Sequence, residues 1–256
     1  MDIVFIGAGN LATRLSLEMQ RAGLKVRQVY SRTEEGAKGL AEKLDCDWTC
    51  SLDDVRDDAG LYIFAVKDAV LEEVILQMKP NGGLWVHTAG SIPMGVFEGY
   101  AARHGVFYPL QTFSKEKVVA FCGVPVFLEA SSEEDGRLLE CVAGAVSGTV
   151  RFLSSEKRRF VHLAGVFAGN FSNYMYAVAA KLLEGQGIGY EALLPLIIET
   201  AGKVAEMSPS AAQTGPAVRF DENVMALQES LLEDGDLREL YRLISRGIYK
   251  DKTEGL

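Results

Sequence analysis

The sequence predicts an α/β chain in which a doubly wound, mostly parallel sheet is followed by an all-α C-terminal domain. Three observations carry this. Short apolar runs alternate with helical patterns through the first half, beginning with Ile3 to Ile6, KVRQVY at Lys25 to Tyr30 and LYIFAV at Leu61 to Val66. That alternation is the pattern of parallel strands covered on both faces by helices. The first run breaks into Gly7-Ala8-Gly9-Asn10-Leu11-Ala12, from which a helix starts. Beyond Ser155 the strand pattern stops and apolar residues recur at helical spacing. The predicted boundary separates a sheet domain at 1–153 from a helical domain at 154–256.

Between a strand and a helix, GxGxx[GA] has a physical meaning. Gly7 permits the tight turn, Gly9 lets backbone approach a pyrophosphate, and Ala12 lets the helix pack close to the strand. Asn10 and Leu11 open the helix, whose first amides and dipole favour phosphate. The turn is therefore read as a Rossmann-type dinucleotide site, against the plainer reading of an ordinary glycine turn. About 20 residues later, where an NAD site usually places an acid, the second strand ends in Ser31-Arg32-Thr33. Small hydroxyls and an arginine suit the 2′-phosphate of NADP, and Glu34 and Glu35 come only on the next helix. NADP(H) is the expected cofactor, although Ser31 or Thr33 could equally cap that helix.

A short strand at Asp47 to Thr49 and a helix opened by Ser51 come next. The Leu61 to Val66 strand ends in Lys67-Asp68, and the strand from Leu84 to His87 leads into Thr88-Ala89-Gly90-Ser91. Strand ends in such a sheet line the ligand crevice. Ala65, Val66 and Lys67 are thus expected at the cofactor, with His87, Thr88, Gly90 and Ser91 near its nicotinamide end. GVFYPLQTF (Gly105 to Phe113), GVPVFLE (Gly123 to Glu129) and Thr149 to Leu153 extend the sheet, with a helix over Glu133 to Val146.

Glu156 to Glu184 reads as one long helix carrying Phe160, Leu163, Phe167, Phe171 and Tyr174, ended by Gly185 to Gly189. Further helices run to Met207, from Asp221 to Leu232, and from Asp236 to Ile248, with a frayed tail after Lys250. The long helix is too apolar to stand alone. It is expected to cover the crevice side of the sheet and to meet a second subunit, making a homodimer through the helical domain.

Composition narrows the function classes. A net charge of −9 argues against nucleic acid or an anionic membrane as partner. No apolar run approaches the ~20 residues of a membrane span, and no signal peptide precedes the first strand. Cys46, Cys50, Cys122 and Cys141 have neither metal-ligand nor CxxC spacing, so they read as free thiols of a cytoplasmic protein, with Cys141 in a helix core and no metal site.

Few residues point to chemistry. His87, beside Gly90 and Ser91, could donate a proton, or could merely bond backbone and shape its loop. His162 and Asn170 are eight positions apart on the long helix, roughly on one face. Each could serve catalysis or be a hydrogen-bonded core group. Gln111 could position substrate or close its turn. Thr214 and Arg219 are candidate substrate contacts, Arg219 as an anchor for a carboxylate, while Asp221 reads as a helix N-cap.

The GAGN turn, SRT after the second strand, FAVKD after the fourth and HTAGS after the fifth resemble a group of NADP-dependent reductases. It includes pyrroline-5-carboxylate reductase, the 6-phosphogluconate and 3-hydroxyisobutyrate dehydrogenases, and reductases paired with a deazaflavin coenzyme. YPLQTF (Tyr108 to Phe113), HLAGVFAGNF (His162 to Phe171) and TGPAVRFDENV (Thr214 to Val224) resemble a bacterial NADP oxidoreductase family. That family joins this Rossmann domain to a helical C-terminal domain of unknown function. The resemblance implies NADP(H)-dependent hydride transfer to or from a small carbonyl or imine compound, with polar side chains of the long helix turned to substrate or nicotinamide. It also shows two departures, since the family often has His at the place of Tyr108 and Gly at that of Phe220. Two rival readings stay open: an NADP(H)-binding regulatory or partner protein without turnover, and an imine reductase of the pyrroline-5-carboxylate reductase type.

Overall fold

The computed structural model describes residues 1–114 and 120–254. Its strands are β1 (Asp2–Ile6), β2 (Lys25–Tyr30), β3 (Asp47–Thr49), β4 (Leu61–Phe64), β5 (Leu84–His87), β6 (His104–Pro109), β7 (Val126–Ala130) and β8 (Val150–Phe152). They form a single sheet in the order β3-β2-β1-β4-β5-β6-β7-β8. Every neighbouring pair is parallel except β6 with β7. The doubly wound, mostly parallel sheet expected from the alternation is thus present. The chain reverses its winding between β1 and β4, the place where such sheets open a ligand crevice.

Strand alternation explains why the sheet needs cover on both sides. Ile3, Phe5, Leu61, Ile63, Leu84 and Val86 belong to one core, with Leu15 and Met19 of α1 (Asn10–Arg21), Leu40 of α2 (Glu34–Leu44) and Leu139 of α4 (Glu133–Val146). The intervening Val4, Ile6, Tyr62, Phe64 and Trp85 belong to the other, with Leu71 and Ile75 of α3 (Asp68–Gln77) and Phe97. On α4 the buried stripe is Leu139, Val142, Ala143 and Val146; Cys141 falls off that stripe and is exposed, contrary to its expected core position.

The long helical stretch consists of α5 (Ser155–Gly165), a π-helical turn at Val166–Phe171, and α6 (Ser172–Glu184). The chain falls into two compact units, Met1–Tyr174 and Met175–Leu256. α5 goes with the sheet because Ser155 and Arg158 bond the carboxylate of Glu129 on β7. The second unit contains α7 (Leu194–Glu206), α8 (Pro209–Ala212), α9 (Pro216–Arg219), α10 (Glu222–Ser230) and α11 (Gly235–Glu254). Here the expected frayed tail is corrected: residues 250–254 continue α11, helped by Lys250 and Glu254 at 3.6 Å and by a Thr253 hydroxyl bonded to the Tyr249 carbonyl. Phe220 adopts a left-handed φ of 52°, a conformation glycine tolerates best. Among the described residues no helix is long and apolar enough to cross a membrane.

Candidate active site

The ends of β1, β2 and β4 converge on Gly7. Its φ is +124°, its amide donates to the Tyr30 carbonyl at 2.7 Å, and a Cβ there would lie 2.4 Å from the Ala65 carbonyl oxygen. Gly9 differs in kind. It is the N-cap of α1 with an ordinary φ of −74°, and nothing lies within 4 Å of where its Cβ would be. That open space sits over the first amides of α1, a turn without acidic residues, and Ala12 is fully buried against the sheet. Leu11 is half-buried in the same turn. The Asn10 side chain instead donates to the Phe113 carbonyl at 3.0 Å, while Arg14 bonds the Ser114 carbonyl, so Asn10 offers a ligand its backbone amide.

After β2, the Thr33 hydroxyl accepts the Gly36 amide at 3.3 Å, so the capping role is real. It does not stand alone. A Cβ on Gly36 would meet the Thr33 hydroxyl at 2.9 Å, that of Ser31 at 3.0 Å and the Ala8 methyl at 3.7 Å. Two hydroxyls therefore gather at the first turn of α2, next to Ala8 of the glycine turn, with the exposed Arg32 between them in sequence. Open space at Gly9, free helix amides, two hydroxyls and an arginine fit a dinucleotide bearing a 2′-phosphate. Ala65 and Val66 are half-buried beyond β4, and Lys67 is exposed at the start of α3.

His87 does not open on the crevice. Strand alternation turns its ring to the Trp85 side of the sheet, 5.7 Å from the ring of Phe97 and without exposure. Nδ1 accepts the Ala89 amide at 3.2 Å, and Nε2 has no hydrogen-bond partner among the described residues. Burial, helped by the Arg158 charge, pushes its pKa down to about 3. A ring kept neutral in this way shapes its loop, the plainer of its two readings, and lacks a proton to release at neutral pH. The unfolded ring takes up a proton below about pH 6.5, so stability is full above that and falls as pH drops toward 3, by about 1.4 kcal/mol per unit. Urea unfolding at about pH 7 and 5 should show this loss in the wild type and a smaller one in His87→Asn, where the amide oxygen can replace Nδ1.

His162 of α5 is where the sequence motifs meet. Its Nδ1 lies 2.9 Å from the hydroxyl of Tyr108 at the end of β6, with the rings T-shaped at 6.0 Å. A Cβ on Gly90 would lie 2.5 Å from the same Nδ1, so glycine there lets the imidazole rest on the backbone after β5. Beside them the Ser91 hydroxyl donates to the Asp68 carboxylate. Tyr108 is nearly buried; desolvation chiefly, and Asp68 in addition, push its phenol up to about 12, and Arg158 opposes this.

Asn170 lies in the π-helical turn, exposed and without a hydrogen bond among the described residues, so it does not share the setting of His162. The turn rests on the segment after β6: Cβ atoms on Gly165 and Gly169 would meet Leu110 at 3.1 Å and Thr112 at 3.7 Å. Such π turns often mark functional places. Gln111 accepts the Thr112 amide at 2.8 Å and so closes its own turn. Thr214 and Arg219 are exposed in the second unit, flanking the short α9, and Asp221 caps α10 through the Val224 amide.

Sequence reasoning passed over Arg158. It is 1% exposed, pairs with Glu129, and donates to the Ile92 carbonyl at 2.6 Å, tying α5 to β7 and to the loop after β5. Glu129 also accepts the Ser155 amide and hydroxyl. In Lys157-Arg158-Arg159 nothing local separates one buried arginine from its solvated neighbours.

Comparison with known proteins adds the family context. A profile described as NADP oxidoreductase, coenzyme F420-dependent, matches residues 2–88, and a domain of unknown function, DUF2520, matches 124–248. The crystal structure of a putative NADP oxidoreductase from Bacteroides fragilis is 47% identical with a TM-score of 0.91, over 97% of this chain and 98% of that one. A Thermotoga maritima protein shares the fold at 22% identity and a TM-score of 0.75, over 98% of each chain. Pyrroline-5-carboxylate reductase of Pisum sativum is 24% identical over 212 residues, 80% of this chain and 76% of its own.

Proposed function

This chain belongs to the NADP oxidoreductase family that joins such a domain to DUF2520, and on that premise we propose that it moves hydride between NADP(H) and a small carbonyl or imine compound. The observation that carries the cofactor reading is the gathering of Ser31 and Thr33 hydroxyls at Gly36, next to Ala8 of the glycine turn, with open space at Gly9. Bound NADPH supplies the hydride; the chain supplies binding, orientation and a proton. Gly7 would shape the turn, Gly9, Asn10, Leu11 and Ala12 would hold the pyrophosphate through backbone, Ser31, Arg32 and Thr33 the 2′-phosphate, and Ala65, Val66 and Lys67 the middle of the cofactor. Of the residues proposed for catalysis, His162 and Ser91 lie around Gly90 and Asn170 is exposed to meet substrate, while His87 supports the loop instead of the chemistry. Gln111, Thr214 and Arg219 are proposed substrate contacts.

Fluorescence titration tests this directly. NADPH should bind the folded protein, and Arg32→Ala should weaken NADPH roughly tenfold or more while sparing NADH, because a charged hydrogen bond contributes about 1.5–3 kcal/mol. An equal loss for both cofactors would remove Arg32 from the 2′-phosphate, and absence of NADPH binding would overturn the whole reading. The pea relative favours an imine as substrate, so 1-pyrroline-5-carboxylate is the first compound to try. NADPH binding without oxidation across keto acids, imines and an oxidised deazaflavin would instead favour the non-catalytic reading.

We also propose a cytoplasmic homodimer. Phe160, Leu163, Phe167 and Phe171 leave an apolar stripe open along α5 and its π turn, with Phe160 68% exposed. Stripes of this kind mark protein contacts. The four cysteines are free, in keeping with a reducing compartment. Sedimentation equilibrium should give twice the chain mass, and charged substitutions at Phe160 and Phe167 should halve it.

A further inference from the structure

We propose that Tyr108 is the positioning residue for His162, holding the imidazole through Nδ1 so that Nε2 is the nitrogen presented to substrate; this rests on the oxidoreductase reading above. The geometry is specific. The phenol oxygen is 2.9 Å from Nδ1, Tyr108 itself is 7% exposed and stacks on Phe127 at 6.4 Å, and Gly90 lets the ring sit flush against the backbone. With Nδ1 occupied on one side and the loop after β5 behind it, Nε2 is the nitrogen left to act.

A phenol suits this task because a hydroxyl both donates and accepts. It donates to Nδ1 of the resting neutral ring, which places the ring proton on Nε2. It accepts from Nδ1–H when the ring is charged and in the neutral ring left once Nε2 has given up its proton. The pair therefore serves both protonation states without the phenol ionising, and burial keeps Tyr108 protonated in any case. The charged groups facing it are Asp68 of α3, already bonded to Ser91, and Arg158 of α5, already bonded to Glu129.

The step balances as follows. Bound NADPH would supply hydride to the carbonyl or imine carbon, and the C=O or C=N π pair would move onto oxygen or nitrogen. That atom takes the Nε2 proton of the imidazolium, and the N–H bonding pair stays on the ring. The products are the alcohol or amine, oxidised cofactor and neutral His162 with its remaining proton on Nδ1, which donates to the Tyr108 hydroxyl until the half-buried ring regains a proton at Nε2 from solvent.

The test uses the full 15N-labelled chain, with Tyr108→Phe and His162→Asn as variants and NADPH as ligand. In its neutral form, wild-type His162 should show protonated Nε2 and a hydrogen-bonded, unprotonated Nδ1. In Tyr108→Phe the Nδ1 signal should move toward that of a free ring nitrogen while NADPH affinity stays within about twofold of wild type. Identical ring signals in the two proteins would overturn the pairing. With 1-pyrroline-5-carboxylate, kcat should fall about 100-fold in His162→Asn and about tenfold in Tyr108→Phe, with KM little changed. A wild-type kcat in His162→Asn would remove His162 from proton transfer. If the wild type fails to bind NADPH, or binds it without oxidising it, the oxidoreductase or imine reading falls and the ring signals still decide the pairing.

Discussion

Gly7→Ala is expected to destabilise the protein by roughly 3 kcal/mol, from a strained left-handed backbone plus a methyl pressed into fixed atoms. The φ of +124° is one L side chains rarely adopt, and the new Cβ would meet the Ala65 carbonyl at 2.4 Å. That oxygen cannot retreat easily, because the Ala65 amide is bonded to the Ile6 carbonyl at 2.8 Å and the Gly7 amide to Tyr30 at 2.7 Å. Relief would require parting β1 from β4. Gly9→Ala should behave oppositely. Its φ is ordinary and its Cβ direction empty, so stability should change by less than about 1 kcal/mol, the scale of an N-cap preference. The methyl would instead fill space that phosphate needs, and NADPH affinity should fall at least tenfold. Urea unfolding and NADPH titration of both variants separate the two roles. A Gly7→Ala protein as stable as wild type would refute the steric account.

Removing the Glu129 carboxylate should be the second large effect, about 3–5 kcal/mol for Glu129→Ala. Arg158 would be left charged at 1% side-chain exposure, with Glu129 having been its ion-pair partner. The Ser155 amide and hydroxyl would lose their acceptor in the same change. Since Glu129 itself is 18% exposed, water can partly replace it, which places the expectation toward the lower end of the range. The double variant Glu129→Leu, Arg158→Met should recover much of the loss, because an apolar pair carries no stranded charge. If the double variant is no more stable than Glu129→Ala, the stabilisation comes from the Ser155 bonds rather than from the buried charge. Chemical denaturation of the two variants decides this.

Much of the sheet was legible from neighbouring residues. Near-continuous apolar runs in Leu61 to Phe64 and Leu84 to His87 mark strands buried on both faces, and the glycine turn marks where β1 ends. Ser31, Arg32 and Thr33 could be picked out because cofactor choice depends on a few positions at a known remove from the glycines. The same reasoning misjudged places where a face had to be chosen. His87 ends its strand next to a loop, yet its parity with Trp85 turns the ring into the core. Cys141 lies among apolar helix residues, yet its angle on α4 points it to solvent. The arginine of α5 that is buried could not be told from the exposed one beside it.

Taken by itself, the sequence determined the strand and helix order, the glycine turn and the tilt toward NADP, because these depend on periodicity and on conformations that single residues allow. Only the tertiary structure decided which distant groups share a site. Tyr108 and His162 are 54 residues apart and Glu129 and Arg158 are 29 apart, and both pairs meet because α5 lies along one face of the antiparallel β6 and β7, beside the loop after β5. Such contacts follow from strand order and helix placement, which are set by burying the whole core at once rather than by any local run of residues.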